Sequence, residues 1–180
     1  RWQVVRGLIY LAAQVLFILY MLFFGWQYIS MFFENFFTGG PIGRVETSIS
    51  GVWDPELGEY VKVAGDNSFH ILLYGILTLF VILFFVLTYL RSVREAYDLE
   101  ELVAIGGRPG GLRRDVAMLG DRKFHITLLS LPLVGLFVFT VVPLVTMILI
   151  AFTNYDANHE VPEHLFSWVG FANFRDMLGT

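Results

Sequence analysis

The sequence predicts an all-α, multi-pass membrane protein with three transmembrane helices and a small extracytoplasmic β-hairpin between the first two. Of its 180 residues, 56% are hydrophobic and only 16% are charged, whereas a soluble domain usually carries about 25% charged residues. Three stretches, residues 7–33, 67–90 and 124–155, contain no Asp, Glu, Lys or Arg. Each is long enough to cross the bilayer, which takes roughly 20 apolar residues.

We place the transmembrane helices at residues 8–29, 69–90 and 127–152. A large globular protein can bury one long apolar helix, but a chain of 180 residues leaves too little to cover three. The first span is too long for the apolar part of a signal peptide, and no small-x-small cleavage site follows it. It ends instead in the aromatic run FFGWQYISMFF, which is typical of a membrane–water interface.

Basic residues predict which segments lie inside the cell. They are concentrated at the N-terminus and between spans two and three: Arg1, Arg6, Arg91, Arg94, Arg108, Arg113, Arg114, Arg122 and Lys123. Basic residues near span ends stay on the cytoplasmic side, so we expect both segments inside and the acidic loop and the tail outside. The resulting divisions are an N-terminus with the first span (1–29), an extracytoplasmic loop with the hairpin (30–68), the second span (69–90), a basic cytoplasmic loop with an amphipathic helix (91–126), the third span (127–152) and an extracytoplasmic segment with a short interfacial helix (153–180).

The outer loop contains GVWDPELGEYVKVAGDN, which predicts strands at residues 52–53 and 60–63 around the turn DPELGE. Asp-Pro favours the start of a turn, and Gly58 tolerates a positive φ. The chain has no cysteine, so we expect backbone pairing alone, or packing on a partner, to hold this loop. Two roles remain open, a local cap on the membrane and a docking surface for an extracellular partner.

The inner loop begins with apolar residues at near-helical spacing among charges, and Gly106-Gly107 ends the pattern. Either the second span continues into the cytosol, or a separate amphipathic helix lies on the membrane. The next segment, GGRPGGLRRD, lacks the Gly-Lys-Ser/Thr ending of a phosphate-binding loop. We interpret it as a flexible basic linker near anionic headgroups.

The third span contains two prolines. Pro132 is expected in its first turns, where a missing N–H matters little. Pro143 removes the bond to the Phe139 carbonyl and is expected to kink the helix, either for a moving core or as a tolerated structural feature. Asn154 is a candidate cap for the end of this helix. Weak candidates for helix packing points are Gly75 with Thr78 and Gly135 with Thr140.

No residue is assigned to a catalytic, cofactor-binding, metal or substrate site. The segment NHEVPEH (158–164) resembles a metal cluster, but it does not match H-E-x-x-H, and its proline breaks the helix that motif needs. The acidic residues between 54 and 66 do not have the spacing of an EF-hand. His70 and His125 are expected at headgroup level. The spans hold no charged residue, which argues against a proton relay and disfavours an enzyme.

The end of the chain resembles the first conserved block of binding-protein-dependent sugar ABC transporter permeases. That block is an apolar helix with an internal proline, then S/A-F-T-N-Y, then F/W-V-G-x-x-N-F-x-x-L. The matching elements are Pro143, residues 151–155, residues 168–170, Asn173, Phe174 and Leu178. The outer-loop segment together with DRKFH resembles, more narrowly, the MalF-type permeases of Gram-positive bacteria.

The resemblance implies an ATP-driven importer of maltodextrin-like oligosaccharides in the plasma membrane, with no catalytic site or cofactor in this subunit. It implies a MalG-like second permease subunit, an ATPase dimer and an extracytoplasmic sugar-binding protein as partners, and no nucleic acid. Family members continue into more spans and carry a cytoplasmic E-A-A…G loop, which this sequence lacks. The chain is therefore expected to be an N-terminal portion, without the sugar site. The alternative is a membrane sensor or assembly protein with a folded extracytoplasmic loop.

Overall fold

A computed structural model describes residues 2–47, 52–61, 64–107, 124–156, 159 and 164–179. Within these residues the chain is mostly helical, with a few short strands. Three helices are long and apolar enough to cross a membrane: Gly7–Glu34, Ser68–Ala104 and Leu128–Ile150. The prediction of a mostly helical chain with three candidate membrane spans is confirmed.

The first long helix is longer than the span predicted for it. It consists of α1 (Trp2–Tyr20), a π-helical turn (Met21–Gly25) and α2 (Trp26–Glu34). The helix ends before Asn35, whose backbone is not helical. The side-chain amide of Asn35 donates to the carbonyl of Pro41 at 2.9 Å. The helix therefore continues five residues beyond the predicted span end at residue 29.

The second helix decides between the two interpretations of the inner loop. Helix α3 (Ser68–Ala104) is continuous over 37 residues, or about 55 Å at 1.5 Å per residue. It thus extends past residue 90 and includes the amphipathic segment. Gly106 ends it at φ +80°, donating to Val103 at 3.0 Å, while Gly107 donates to Leu102 at 2.9 Å. This pair of bonds is a Schellman motif, so the predicted glycine stop is confirmed.

The third helix consists of α4 (Phe124–Leu136), a π-helical turn (Phe137–Val141) and α5 (Val142–Ile150). The placement of Pro132 in the first turns was wrong, because the helix begins at Phe124 and Pro132 lies inside α4. Pro143 follows directly after the π turn. A proline inside a helix removes one backbone hydrogen bond, and the π-helical turn lies just before this position.

The strands form two separate pairs. In the outer loop, β2 (Val52–Asp54) pairs antiparallel with β3 (Glu59–Val61). The second pair joins β1 (Gly40–Pro41) to β4 (Ser167–Trp168), and an isolated bridge links Thr153 to Trp168. The pairing of the outer loop with the tail was not predicted. Helix α6 (Ala172–Leu178) follows β4, where a short helix was predicted.

The chain divides into two compact units. We call Arg1–Leu22 with Phe80–Val141 the helical unit, and Phe23–Leu79 with Val142–Thr180 the loop unit. In the helical unit the first and second helices run antiparallel: the Tyr10 hydroxyl donates to Glu95 at 3.0 Å, and the Phe17 ring stacks on Phe85 at 3.8 Å. The start of the first helix and the end of the second therefore lie at the same end of this unit.

The described core lies in the loop unit. Its buried apolar side chains are Met31, Phe32, Ile42, Ile71, Leu72, Ile76, Val142, Leu165, Phe166 and Trp168. They come from helix ends, from the outer loop and from the tail. Because burial of apolar surface is the main stabilising term in water, this pattern describes a small packed domain built on the ends of the spans.

Candidate functional site at the loop end of the spans

The sequence block that carries the family resemblance folds back on itself in the loop unit. Phe152 accepts hydrogen bonds at its carbonyl from the backbone N–H groups of Val169, at 2.9 Å, and Gly170, at 3.1 Å. Asn154 and Ser167 are joined twice. The Asn154 N–H donates to the Ser167 carbonyl at 3.0 Å, and the Asn154 side-chain oxygen accepts from the Ser167 N–H at 2.6 Å. The T-N-Y and W-V-G elements are thus held together by direct hydrogen bonds.

Asn173, from the tail, binds the chain segment that follows the end of the third helix. Its side-chain nitrogen donates to the carbonyl of Ala151 at 2.9 Å and to that of Thr153 at 2.8 Å. An amide nitrogen has two hydrogens, so this one side chain satisfies two carbonyls of the turn after the helix, while the carbonyls of Ile148, Leu149 and Ile150 accept from the backbone N–H groups of that turn. The prediction of Asn154 as the cap was wrong, because its side chain is engaged with Ser167.

An aromatic cluster fixes α6 against the end of the third helix. The Phe152 ring lies 5.3 Å from Phe171 and 5.2 Å from Phe174, between ring centroids. Phe171, Met177 and Leu178 nevertheless remain largely exposed. The helix therefore keeps an apolar surface that the described part of the chain does not cover.

Two polar side chains fasten the outer loop. The hydroxyl of Ser68 is fully buried, donates to the Ile42 carbonyl at 2.7 Å and accepts from the Phe166 N–H at 2.9 Å. The Asp66 carboxylate accepts from the N–H groups of Arg44 at 2.7 Å and Val45 at 3.0 Å. The expectation that backbone pairing alone, or a partner, holds this loop was therefore wrong.

The two predicted packing points differ. Gly75 and Thr78 are both buried in the loop unit, and the Thr78 hydroxyl donates to the Tyr74 carbonyl at 2.7 Å. Gly135 has no atom within 4 Å of where a β-carbon would stand, and Thr140 is exposed. Only the first pair packs within the described part of the chain.

Trp168 is the largest side chain at the junction of loop and tail. Its ring is 5% exposed and meets Phe32 and Phe36 edge-on, at centroid distances of 5.6 and 4.9 Å. Its indole N–H is buried and has no hydrogen-bond partner among the described residues. An unmade bond of this kind costs about 1–3 kcal/mol, so the aromatic packing must outweigh it.

The outer hairpin is closed by its own turn. Asp54 accepts at its backbone carbonyl from the Gly58 N–H at 2.8 Å, and at its carboxylate from the N–H groups of Glu56 at 2.8 Å and Leu57 at 3.3 Å. Gly58 has φ +67°, the positive value predicted for it. The final residues of the predicted second strand, 62 and 63, lie outside the described residues.

The metal candidates do not assemble in the described part of the chain, where no three His, Asp or Glu side chains converge. Asp54 and Asp66 direct their carboxylates at backbone N–H groups. His159 pairs with Asp156, at 2.7 Å between Nδ1 and Oδ1. Residues 160–163 and the side chain of His125 lie outside the described residues, and His70 is exposed beside the Tyr74 ring.

Comparison with known proteins identifies homologous sugar transport permeases. The chain is 28% identical over 128 residues to the maltodextrin transport system permease protein MalC of Streptococcus pneumoniae, covering 68% of this chain and 29% of the relative. It is 30% identical over 115 residues to the maltodextrin transport system permease protein MdxF of Bacillus subtilis, covering 63% and 26%. The galactooligosaccharides transport system permease protein GanP of the same species is 28% identical over 124 residues, covering 65% and 28%.

The matched region is the N-terminal part of these relatives, and the chain spans less than a third of their length. No family model matches the chain. No solved structure matches it either. The relatives are permease proteins of maltodextrin and galactooligosaccharide transport systems, in agreement with the predicted resemblance to sugar permeases.

Proposed function

We propose that this chain is the N-terminal part of the transmembrane permease subunit of an ATP-driven, binding-protein-dependent importer of maltodextrin-like oligosaccharides. The main observation behind the proposal is that the T-N-Y and W-V-G-x-x-N-F elements pack against and hydrogen-bond to each other. Asn173, for example, donates to the carbonyls of Ala151 and Thr153. These elements make up the resemblance to the family, and their mutual bonds give a physical reason for their spacing. The homology to oligosaccharide permeases supports the same function.

The chain is placed in the plasma membrane with its N-terminus in the cytoplasm. The basic residues near the N-terminus and after the second span support this orientation. The antiparallel packing of Tyr10 on Glu95 and of Phe17 on Phe85 is consistent with it, because it brings those two segments to one end of the helical unit. The hairpin and the tail are then extracytoplasmic.

In this orientation α6 lies on the outer leaflet. Its exposed residues Phe171, Met177 and Leu178 form the apolar surface of the helix, while Arg175 and Asp176 are more than three-quarters exposed and carry the charge. An amphipathic helix of this kind binds at the boundary of headgroups and acyl chains. Asn173 and Phe174 tether it to the third span.

The subunit itself catalyses no reaction. ATP hydrolysis belongs to a separate ATPase dimer, and the transport path is completed by a second permease subunit. An extracytoplasmic sugar-binding protein delivers the oligosaccharide, and the loop unit presents a packed surface to it. A binding partner shifts a conformational equilibrium only through contacts that differ between the two states, so a firmly packed docking surface suits this role.

The test is deletion of the gene in the cell that encodes it, with uptake of labelled maltotetraose and galactotriose as the measurement. We expect uptake of at least one of the two to be lost, and to return when the intact gene is supplied. Uptake that persists unchanged, together with an altered transcriptional response to the sugars, would instead identify a membrane sensor.

A further inference from the structure

The outer hairpin presents an aromatic pair to its surroundings. Trp53 and Tyr60 lie directly opposite each other across the two strands, with ring centroids 5.2 Å apart and ring planes at 67°. Their side chains are 53% and 69% exposed. Alternate residues of a strand point to opposite faces, and the adjacent residues Asp54 and Val61 are only partly exposed. The hairpin therefore turns its aromatic face outward.

The turn holds this face in place without burying it. The three hydrogen bonds that Asp54 accepts from Glu56, Leu57 and Gly58 fix the strand ends. Facing aromatic side chains on neighbouring strands add further support to the pairing. Rings held on a fixed backbone and left exposed lose little conformational freedom when they bind, and such aromatic side chains supply much of the contact energy at recognition surfaces.

We propose that Trp53 and Tyr60 form a stacking platform for a pyranose ring of an oligosaccharide on the outer side of the membrane. This inference rests on the proposed function and adds a contact point for its substrate class. One side of a pyranose ring is lined by C–H groups, which carry slight positive charge. The face of an aromatic ring carries slight negative charge, so the two surfaces attract. The exposed carboxylate of Glu56, in the turn that joins the two strands, can accept hydrogen bonds from sugar hydroxyls.

Charge favours a neutral sugar over a lipid surface as the occupant. Asp54, Glu56 and Glu59 put three carboxylates into the eight residues from 52 to 59. Acidic side chains are repelled by anionic headgroups, which attract basic segments instead. A neutral polyhydroxylated ligand experiences no such repulsion. A folded protein partner remains a distinct outcome of the test.

The experiment uses the complete chain in nanodiscs of zwitterionic lipid, with maltotetraose as the probe and ligand-observed saturation-transfer NMR as the measurement. Trp53→Val keeps strand propensity but removes the ring. We expect it to weaken binding about tenfold, near the upper end of what one aromatic contact contributes. Trp53→Phe keeps an aromatic face and should retain most of the affinity. Sorbitol has the hydroxyls but no ring, and should not bind.

The matched control is Tyr97→Thr, compared with Tyr60→Thr. Tyr97 is 68% exposed on α3, so its replacement removes an equally accessible tyrosine from the helical unit. We expect Tyr60→Thr to weaken binding and Tyr97→Thr to leave it unchanged. Slow hydrogen exchange at the Gly58 amide, which bonds to Asp54, reports that the hairpin is still folded in each variant.

Equal maltotetraose affinity of the intact chain and Trp53→Val, with a folded hairpin, would overturn the platform. The platform would also be overturned if maltotetraose did not bind and if anionic vesicles or a sugar-binding protein instead shielded the Trp53 side chain from solvent. These results leave the proposed function standing if gene deletion abolishes uptake. If deletion leaves uptake intact, the proposed function fails independently of the platform.

Discussion

The ring of Phe32 lies directly against the backbone of Gly75. A β-carbon added to Gly75 would stand 2.7 Å from the Phe32 ring carbon Cδ2 and 3.0 Å from two further Phe32 atoms. Phe32 is itself buried, and its ring also meets Trp168 and Phe36. The first and second helices can therefore approach this closely in the loop unit only because position 75 has no side chain.

Replacement of Gly75 by alanine should destabilise the loop unit by about 1–3 kcal/mol, because the enclosed Phe32 ring must shift. The measurement is the free energy of unfolding of the purified chain in mixed detergent micelles. Gly135→Ala is the matched control, since nothing lies within 4 Å of its added carbon and alanine favours a helix by about 1 kcal/mol over glycine. We expect opposite signs for the two variants. If Gly75→Ala lowers the free energy of unfolding by the same amount in a Phe32→Leu background, the contact with the Phe32 ring does not cause the destabilisation.

Removal of the Ser68 hydroxyl should cost about 2–3 kcal/mol of unfolding free energy. Ser68→Ala leaves both the Ile42 carbonyl and the Phe166 N–H without their buried partner. Ser92→Ala serves as the control, because the Ser92 hydroxyl donates only to Tyr89 within its own helix, at 2.8 Å. Protease resistance of the outer loop and the tail offers a second readout. Equal resistance of the two variants would contradict a joint role of Ser68 in loop and tail.

Conversion of Asn173 to aspartate should release the tail from the third helix. A carboxylate cannot donate to the carbonyls of Ala151 and Thr153 and repels them instead, so we expect a loss of about 2 kcal/mol or more. Asp176→Asn makes the reverse change at an exposed site on the same helix and should have little effect. Cysteine accessibility along α6 measures the release, and an unchanged labelling pattern in Asn173→Asp would rule it out.

The orientation predicts which introduced cysteines react from outside the cell. Glu59→Cys should be labelled in intact cells by a membrane-impermeant maleimide, whereas Arg113→Cys should be labelled only after the cells are opened. The parent chain has no cysteine, so every labelled site is the introduced one. Tyr97→Cys, an exposed position on α3, should behave like Arg113→Cys. The reverse pattern would invert the proposed topology.

Local patterns predicted the features that depend on neighbouring residues in the chain. The uncharged stretches predicted the helices, Gly106-Gly107 predicted the end of α3, and Gly58 predicted the tight turn of the hairpin. Each of these follows from hydropathy or from a backbone conformation that glycine adopts readily. The sequence left open whether the second helix continues past residue 90 or a separate helix follows it, because amphipathic spacing is the same in both cases.

The contacts that close the loop unit were not accessible from such patterns. Ser68 and Phe166 are 98 residues apart in the chain, and Gly40 pairs with Trp168. A serine or asparagine has the same local preferences wherever it stands, so only its position in the folded chain decides which backbone group it satisfies. For the same reason Asn173 binds the turn that follows the third helix, although Asn154 lies much nearer to it in sequence.

The sequence by itself determined a membrane protein with three candidate spans and a resemblance to sugar permeases, because hydropathy and motif spacing are properties of the linear chain. The tertiary structure decided what the motif residues contact: the outer loop, the T-N-Y element and the W-V-G element lie against one another through Ser68, Asn154 and Asn173. Buried polar groups must find partners wherever the folded backbone offers them. That requirement is met only in three dimensions, between segments that the sequence keeps far apart.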